Sequence, residues 1–147
     1  MSLIPWSAAD ERGRQLFGLL AGLDLPLPDH AVFGSGPLIV RGIVPAGSDL
    51  DVICRGPAWE AARRLGPLVH DADHDVALVE LYDGAITFGV SWGIGRFDIG
   101  MLIDTAEVID GIPFVRLEHV IAYKQASGRT KDAEHLRLLD TWRRAHP

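Results

Sequence analysis

The chain has 147 residues, a hydrophobic content of 48% and a net charge of −6, values typical of a folded protein and not of a disordered one. This length favours a single domain, 1–147, with one hydrophobic core. The negative charge argues against an extended nucleic-acid surface, and no apolar run approaches the ~20 residues of a membrane helix. No signal-peptide pattern is evident, and the lone Cys54 lies in an apolar run, so we expect a reduced, cytoplasmic protein.

The first half of the chain alternates helical and strand patterns. Ser7 is a suitable helix cap, and Gly22 a suitable stop, for an amphipathic helix over 7–21. Alternating or continuous apolar runs bounded by Gly and Pro predict the next elements. These are a strand at 31–33, a short helix at 37–40 behind a Ser35 cap, a strand at 48–54 and a helix at 57–65.

The second half begins with two strands, 76–82 and 85–92, joined by the hairpin signal Asp83-Gly84. Four elements follow: a short helix from Asp98, a hairpin over 106–115, a helix at 117–126 stopped by Gly128, and a last helix capped by Thr130. This order predicts an α/β protein in which helices pack on one mixed sheet.

Two aspartates are the first candidate functional residues. Side chains alternate along a strand, so Asp49 and Asp51 share one face while Leu50 and Val52 share the other. Paired carboxylates of this kind can bind a divalent metal, since Mg²⁺ takes one or two protein carboxylates together with phosphates and water. The alternative is a solvated strand end rich in aspartate.

Gly34 and Ser35 lie where the strand at 31–33 gives way to the helix at 37–40. Backbone N–H groups at such a helix start attract phosphate, and a glycine permits close approach. A simple strand-to-helix turn is the alternative. Thirteen residues separate Ser35 from Asp49, and it is this spacing that links the two motifs.

The Gly34-Ser35 segment followed by Asp49-Leu50-Asp51-Val52 resembles the signature of the nucleotidyltransferase superfamily, which has the polymerase-beta-like fold. The opening from Gly34 to Gly42 and the tail from Ala106 through Lys124 to Asp132 are similar to those of small bacterial nucleotidyltransferases. The resemblance covers about 31–139, most of the chain. It implies transfer of a nucleoside monophosphate from a nucleoside triphosphate to a hydroxyl acceptor, which the sequence does not identify.

The resemblance also implies roles for particular residues. Asp49 and Asp51 would be catalytic and would bind Mg²⁺ or Mn²⁺. Lys124, on the apolar stripe of its helix, would contact phosphate, although an ion pair with an acid such as Asp132 explains a buried lysine equally well. The nucleotide-binding residues would be Gly34, Ser35, Ser48 and Lys124.

A third carboxylate is usual in the superfamily, on a strand next to the pair. This chain has Thr87 at the corresponding place, and Asp98 is the available substitute, although Asp98 also suits the cap of the helix that follows. We favour the cap. Two alternatives to an active transferase therefore stay open: a nucleotide-binding module with impaired catalysis, and an interaction protein of the toxin–antitoxin type with a protein partner.

Three basic residues and one polar cluster have ordinary explanations. Arg129 and Lys131 match the family tail, but they also suit a helix-capping loop. Arg41 suits a role in orienting the acid-bearing loop, and it equally suits a solvated position. The polar residues over 70–75 include two histidines and three aspartates, which could bind a metal. Because polar residues are common between a helix and a strand, we interpret them as a loop.

Overall fold

The structure is a computed structural model that describes residues 4–47, 49–72, 76–90 and 98–147. Within these ranges seven strands form one sheet. The strands are β1 (His30–Phe33), β2 (Leu50–Cys54), β3 (Leu68–Asp71), β4 (Val76–Leu81), β5 (Ile86–Gly89), β6 (Glu107–Ile109) and β7 (Ile112–Phe114).

Helices precede, separate and follow the strands. They are α1 (Glu11–Ala21), α2 (Gly36–Ile39), α3 (Gly56–Leu65), α4 (Ile99–Asp104), α5 (Leu117–Ser127) and α6 (Thr130–Ala145), with a 3-10 turn at Leu27–Asp29. No helix among the described residues is long and apolar enough to cross a membrane.

The sheet is mixed. Its strand order is β3-β4-β5-β2-β1-β7-β6. The pairs β2–β5 and β1–β7 are parallel, and the other neighbours are antiparallel. The predicted α/β class, with helices on one mixed sheet, is confirmed.

The centre of the sheet carries the core. All residues of β1, β5 and β7 are buried, as expected for apolar runs covered on both faces. Phe17 of α1 packs edge-to-face on Phe114 with ring centroids 5.3 Å apart. This packing holds α1 against β7, the neighbour of β1 in the sheet.

Two predicted caps are wrong. The first helix begins at Glu11, and its cap is Asp10, whose Oδ1 accepts a 2.9 Å hydrogen bond from the Gly13 N–H. Thr130 is already helical, and Arg129 is the N-cap of α6. In both places the predicted cap lies within three residues of the residue that the structure places at the cap. The stops at Gly22 and Gly128 are confirmed.

The strand β3 was not predicted. It pairs antiparallel with β4 at the edge of the sheet, and three of its four residues are exposed, so it lacks a clear buried face in the sequence. His70 and Asp71 belong to this strand and not to a loop. Residues 73–75 of the same polar cluster lie outside the described residues.

Candidate active site

Gly34 and Asp51 come together where β1 ends and β2 begins. Phe33 and Asp51 are partners in the antiparallel β1–β2 pair, so Gly34 follows directly beside the carboxylate. Gly34 has a φ of +61°, and a β-carbon at this position would stand 3.0 Å from Asp51 Oδ2. Both the left-handed backbone and the close approach favour glycine here. The spacing noted in the sequence therefore corresponds to direct proximity.

A cavity of about 220 Å³ opens beside this junction. Its walls come from α2, the loop before β2, the start of β2 and the first turns of α6. Its polar lining includes Ser35, Asp49, Asp51, Lys131 and His135. Two carboxylates and a lysine thus share one concave surface, an arrangement that suits a ligand with both a cation and an anionic chain.

The surroundings of Asp51 shift the pKa of its carboxyl group. Burial, together with the charge of Asp49, raises the pKa of Asp51 to about 6, although Lys131, Arg129 and Lys124 act in the opposite direction. Among the described residues, none makes a hydrogen bond or ion pair with the Asp51 side chain. A cation held between Asp49 and Asp51 would stabilise the ionised form, and oxygen donors are those that Mg²⁺ prefers. Asp49 and Asp51 are therefore the residues that could supply carboxylate ligands to such a cation.

Thr87 faces this pair, as the sequence predicted. It lies on β5 in register with Asp51, so the two side chains point to the same face of the sheet, and Thr87 is 7% exposed. Glu80, the next residue in this row on β4, lies about 10 Å from Asp51 across two strand spacings. Among the described residues, no three His, Cys, Asp or Glu side chains gather as metal ligands. The residue beside Asp51 on the adjacent strand, Thr87, therefore offers a hydroxyl and not a carboxylate.

Asp98 lies elsewhere, and the tentative assignment of this residue as a third catalytic carboxylate is corrected. Its Oδ1 accepts a 3.2 Å hydrogen bond from the Met101 N–H and caps α4, the favoured alternative. The same helix meets Arg55, whose Nη1 donates to the Gly100 carbonyl. Since Arg55 follows the far end of β2, about 13 Å along the strand from Asp51, the cap is at the opposite end of the strand from the pair.

Lys124 is buried inside the protein. It is 1% exposed, and its Nζ lies 3.3 Å from Asp132 Oδ1, so the ion pair that the sequence left as an alternative is present. The same Nζ lies 3.2 Å from Ser35 Oγ and 3.2 Å from His135 Nδ1. The three hydrogens of the ammonium group thus have three acceptors within the fold. Ser35 in turn makes no side-chain cap to α2, because its hydroxyl is directed to this cluster.

Asp132 is the anion of this buried cluster. Burial alone would raise the pKa of Asp132, but hydrogen bonds from Arg129 and Ser127 and the charge of Lys124 hold it well below its usual range. Arg129 Nε lies 2.8 Å from Asp132 Oδ2. Asp132 thus joins the end of α5 to the start of α6 and holds Lys131 at the cavity.

Sequence reasoning missed His135. It lies one helical turn after Lys131 on α6, so the i, i+4 spacing would have placed it on the same face once that face was assigned to the cavity. Burial, followed by the charges of Lys124 and Lys131, lowers the pKa of His135 to about 4. The ring is therefore neutral near pH 7.

Arg41, a residue of the family pattern, is not among the described residues that line the cavity. Ser48, proposed for nucleotide binding, lies outside the described residues. Arg41 donates a 2.6 Å hydrogen bond to the Pro37 carbonyl and forms an ion pair with Glu107. Arg41 therefore connects α2 to β6.

A larger cavity, of about 300 Å³, lies near the opposite end of β1. Trp6, His30 and Asp110 are among its lining residues. His30 Nδ1 donates a 2.8 Å hydrogen bond to the Pro26 carbonyl, and the backbone N–H of Trp6 donates to Asp110. This cavity lies away from the acidic pair, and we assign no function to it.

No protein-family model, curated protein or solved structure was found that matches this chain.

Proposed function

We propose that the protein binds a magnesium complex of a nucleoside triphosphate at the Asp49–Asp51 pair and transfers the nucleoside monophosphate to a hydroxyl acceptor. The observation that carries the proposal is the proximity of the Gly34 backbone to the Asp51 carboxylate, at the edge of a cavity that also contains Lys131. The resemblance to nucleotidyltransferases, of polymerase-beta-like fold, agrees with this arrangement.

Each residue has a separate part in this proposal. Asp49 and Asp51 supply carboxylate oxygens to Mg²⁺ or Mn²⁺, and the metal polarises the phosphate oxygens when bound. The glycine at position 34 lets the Asp51 carboxylate lie close to the backbone at the end of β1. Lys131, exposed at the first turn of α6, offers the positive charge that the resemblance implied for Lys124.

A second candidate function is a nucleotide-binding module with weak or no transferase activity. The observation that favours it is Thr87, which occupies the strand position next to Asp51. A hydroxyl is a poor replacement for a carboxylate as a metal ligand or as the base that takes the acceptor proton. Binding and transfer therefore have to be measured separately.

The test of binding is calorimetry with ATP, GTP, CTP and UTP in Mg²⁺ and in EDTA. Binding should require the metal, because without it Asp49 and Asp51 repel the phosphates. The double variant Asp49→Asn/Asp51→Asn should lose the metal-dependent part while remaining folded. Equal affinity in EDTA would exclude the proposed site.

The test of transfer uses each nucleoside triphosphate with a labelled α-phosphate, incubated with purified protein and cell extract. Label transferred to a small molecule, RNA or protein, and lost in the double variant, would support the transferase. Metal-dependent binding without transferred label would support the impaired module.

A further inference from the structure

The cluster beneath the cavity constrains the protonation of His135. Lys124 Nζ lies 3.2 Å from His135 Nδ1, and an ammonium group has only hydrogens to offer. A hydrogen on Nδ1 would place two donors against each other. Nδ1 is therefore the acceptor, and the neutral ring carries its hydrogen on Nε2.

Ser35 agrees with this assignment. Its Oγ lies 3.2 Å from both Lys124 Nζ and His135 Nδ1. The oxygen accepts from the lysine, and the hydroxyl hydrogen can share the single Nδ1 lone pair with the lysine in a three-centre hydrogen bond. The buried ion pair between Lys124 and Asp132 keeps the lysine in place as the donor.

The ring edge that carries Nε2 is the part of His135 available to a ligand in the cavity. His135 lines the cavity together with Asp49, Asp51 and Lys131, and its Nε2 makes no hydrogen bond to another described residue. We propose that His135 contacts the ligand: Lys124 holds its Nδ1 as an acceptor, and its Nε2–H donates to the phosphate chain of the bound nucleotide. This inference rests on the proposed function and gives Lys124 a positioning role.

The tautomer can be tested without any ligand. In nitrogen-15 NMR of the metal-free protein near pH 7, His135 should show an unprotonated Nδ1 and a protonated Nε2. Because burial and the two lysines keep the pKa of His135 low, the neutral ring is the species observed. A hydrogen on Nδ1, or a doubly protonated ring, would overturn the inference.

The contact is tested with two matched substitutions. His135→Asn keeps an acceptor near Nδ1 but removes the outer donor, whereas His135→Gln keeps an amide donor near Nε2. Affinity for Mg²⁺–ATP and for Mg²⁺–tripolyphosphate should fall about tenfold or more in the Asn variant, the scale of a lost hydrogen bond to a charged group. The Gln variant should remain within about threefold of the wild type.

The probes also separate the possible failures. Equal binding by wild type and a folded His135→Asn variant would overturn the contact, while loss in Asp49→Asn/Asp51→Asn would keep the proposed function. If His135→Asn binds ATP more weakly but tripolyphosphate equally well, the proposal that Nε2–H donates to the phosphate chain is overturned. Absence of binding by the wild type would overturn both proposals. If the Asn variant does not fold, the tautomer in the wild type decides.

Discussion

Gly34 and Asp51 are linked by the space that glycine leaves: a β-carbon on Gly34 would stand 3.0 Å from Asp51 Oδ2. The relationship joins the turn after β1 to the acid on β2. It depends on the antiparallel pairing of Phe33 with Asp51. A change at Gly34 should therefore affect the charge and position of a carboxylate that lies far from it in the sequence.

Gly34→Ala should lower both stability and metal affinity. A left-handed alanine costs about 1–2 kcal/mol, and the new methyl group would also press on the Asp51 carboxylate. Gly56→Ala is the matched control, because Gly56 has a φ of +49° with no atom within 4 Å of an added β-carbon. Thermal denaturation should show a loss of stability in both variants, larger for Gly34→Ala, and Mg²⁺ titration should show a loss of affinity only for Gly34→Ala. Equal metal affinity in the two variants would contradict the proposed pressure on Asp51.

Asp51→Asn should stabilise the metal-free protein at neutral pH. The folded-state pKa of Asp51 is about 6, above its ordinary value, so the folded state binds the proton more tightly than the unfolded state. The resulting stability is present below about pH 4 and is lost as pH rises through 6. At pH 7 the ionised Asp51 therefore destabilises the fold, by up to about 3 kcal/mol.

Urea denaturation in EDTA between pH 4 and pH 8 measures this effect. The variant should be the more stable protein at pH 7 and should lose most of its advantage at pH 4. Asp49→Asn should give part of the gain, because the charge of Asp49 is the second cause that raises the pKa of Asp51. A destabilised Asp51→Asn protein at pH 7 would show that Asp51 has a stabilising partner.

Thr87→Glu should strengthen metal binding. Thr87 is in register with Asp51 on the adjacent strand, so a carboxylate there would join the pair across a spacing of about 4.8 Å. Mg²⁺ affinity should rise about tenfold, or about 1.4 kcal/mol, and transfer activity should increase if the missing carboxylate limits it. Thr87→Gln adds similar bulk without charge and should produce neither change. A variant that binds Mg²⁺ no better than wild type would exclude Thr87 as the third position.

Lys124→Met should destabilise the protein, because it leaves Asp132 buried without one of its cations. Loss of one partner from a buried pair costs about 3–5 kcal/mol, and the remaining bonds from Arg129 should keep the loss near the lower end. Denaturant titration of Lys124→Met, Asp132→Asn and the double variant gives their coupling energy. A coupling energy near zero would argue against a stabilising pair. Lys124→Met should also allow the ring hydrogen of His135 to move to Nδ1, because the lysine donor that faces Nδ1 is absent.

The sequence by itself determined most of the local elements and indicated that the two acids belong together. Alternation along a strand predicted that Asp49 and Asp51 share one face, and both line the cavity although β2 begins only at Leu50. The apolar runs of β1 and β5 predicted buried strands. Gly128, with a φ of +63°, ends α5 as expected for a left-handed helix stop. These features depend on backbone geometry and side-chain period, which a single sequence displays.

Only the tertiary structure decided which side chains share the site. Ser35 precedes α2, Lys124 lies on α5 and His135 lies on α6, and the packing of these segments brings the three side chains within 3.2 Å of one another. Two residues, Lys124 and Asp98, had two suitable roles each in the sequence, and the available partners selected the ion pair for one and the helix cap for the other. Such choices depend on distances between remote segments, and a buried charge is stable only where those distances supply a partner.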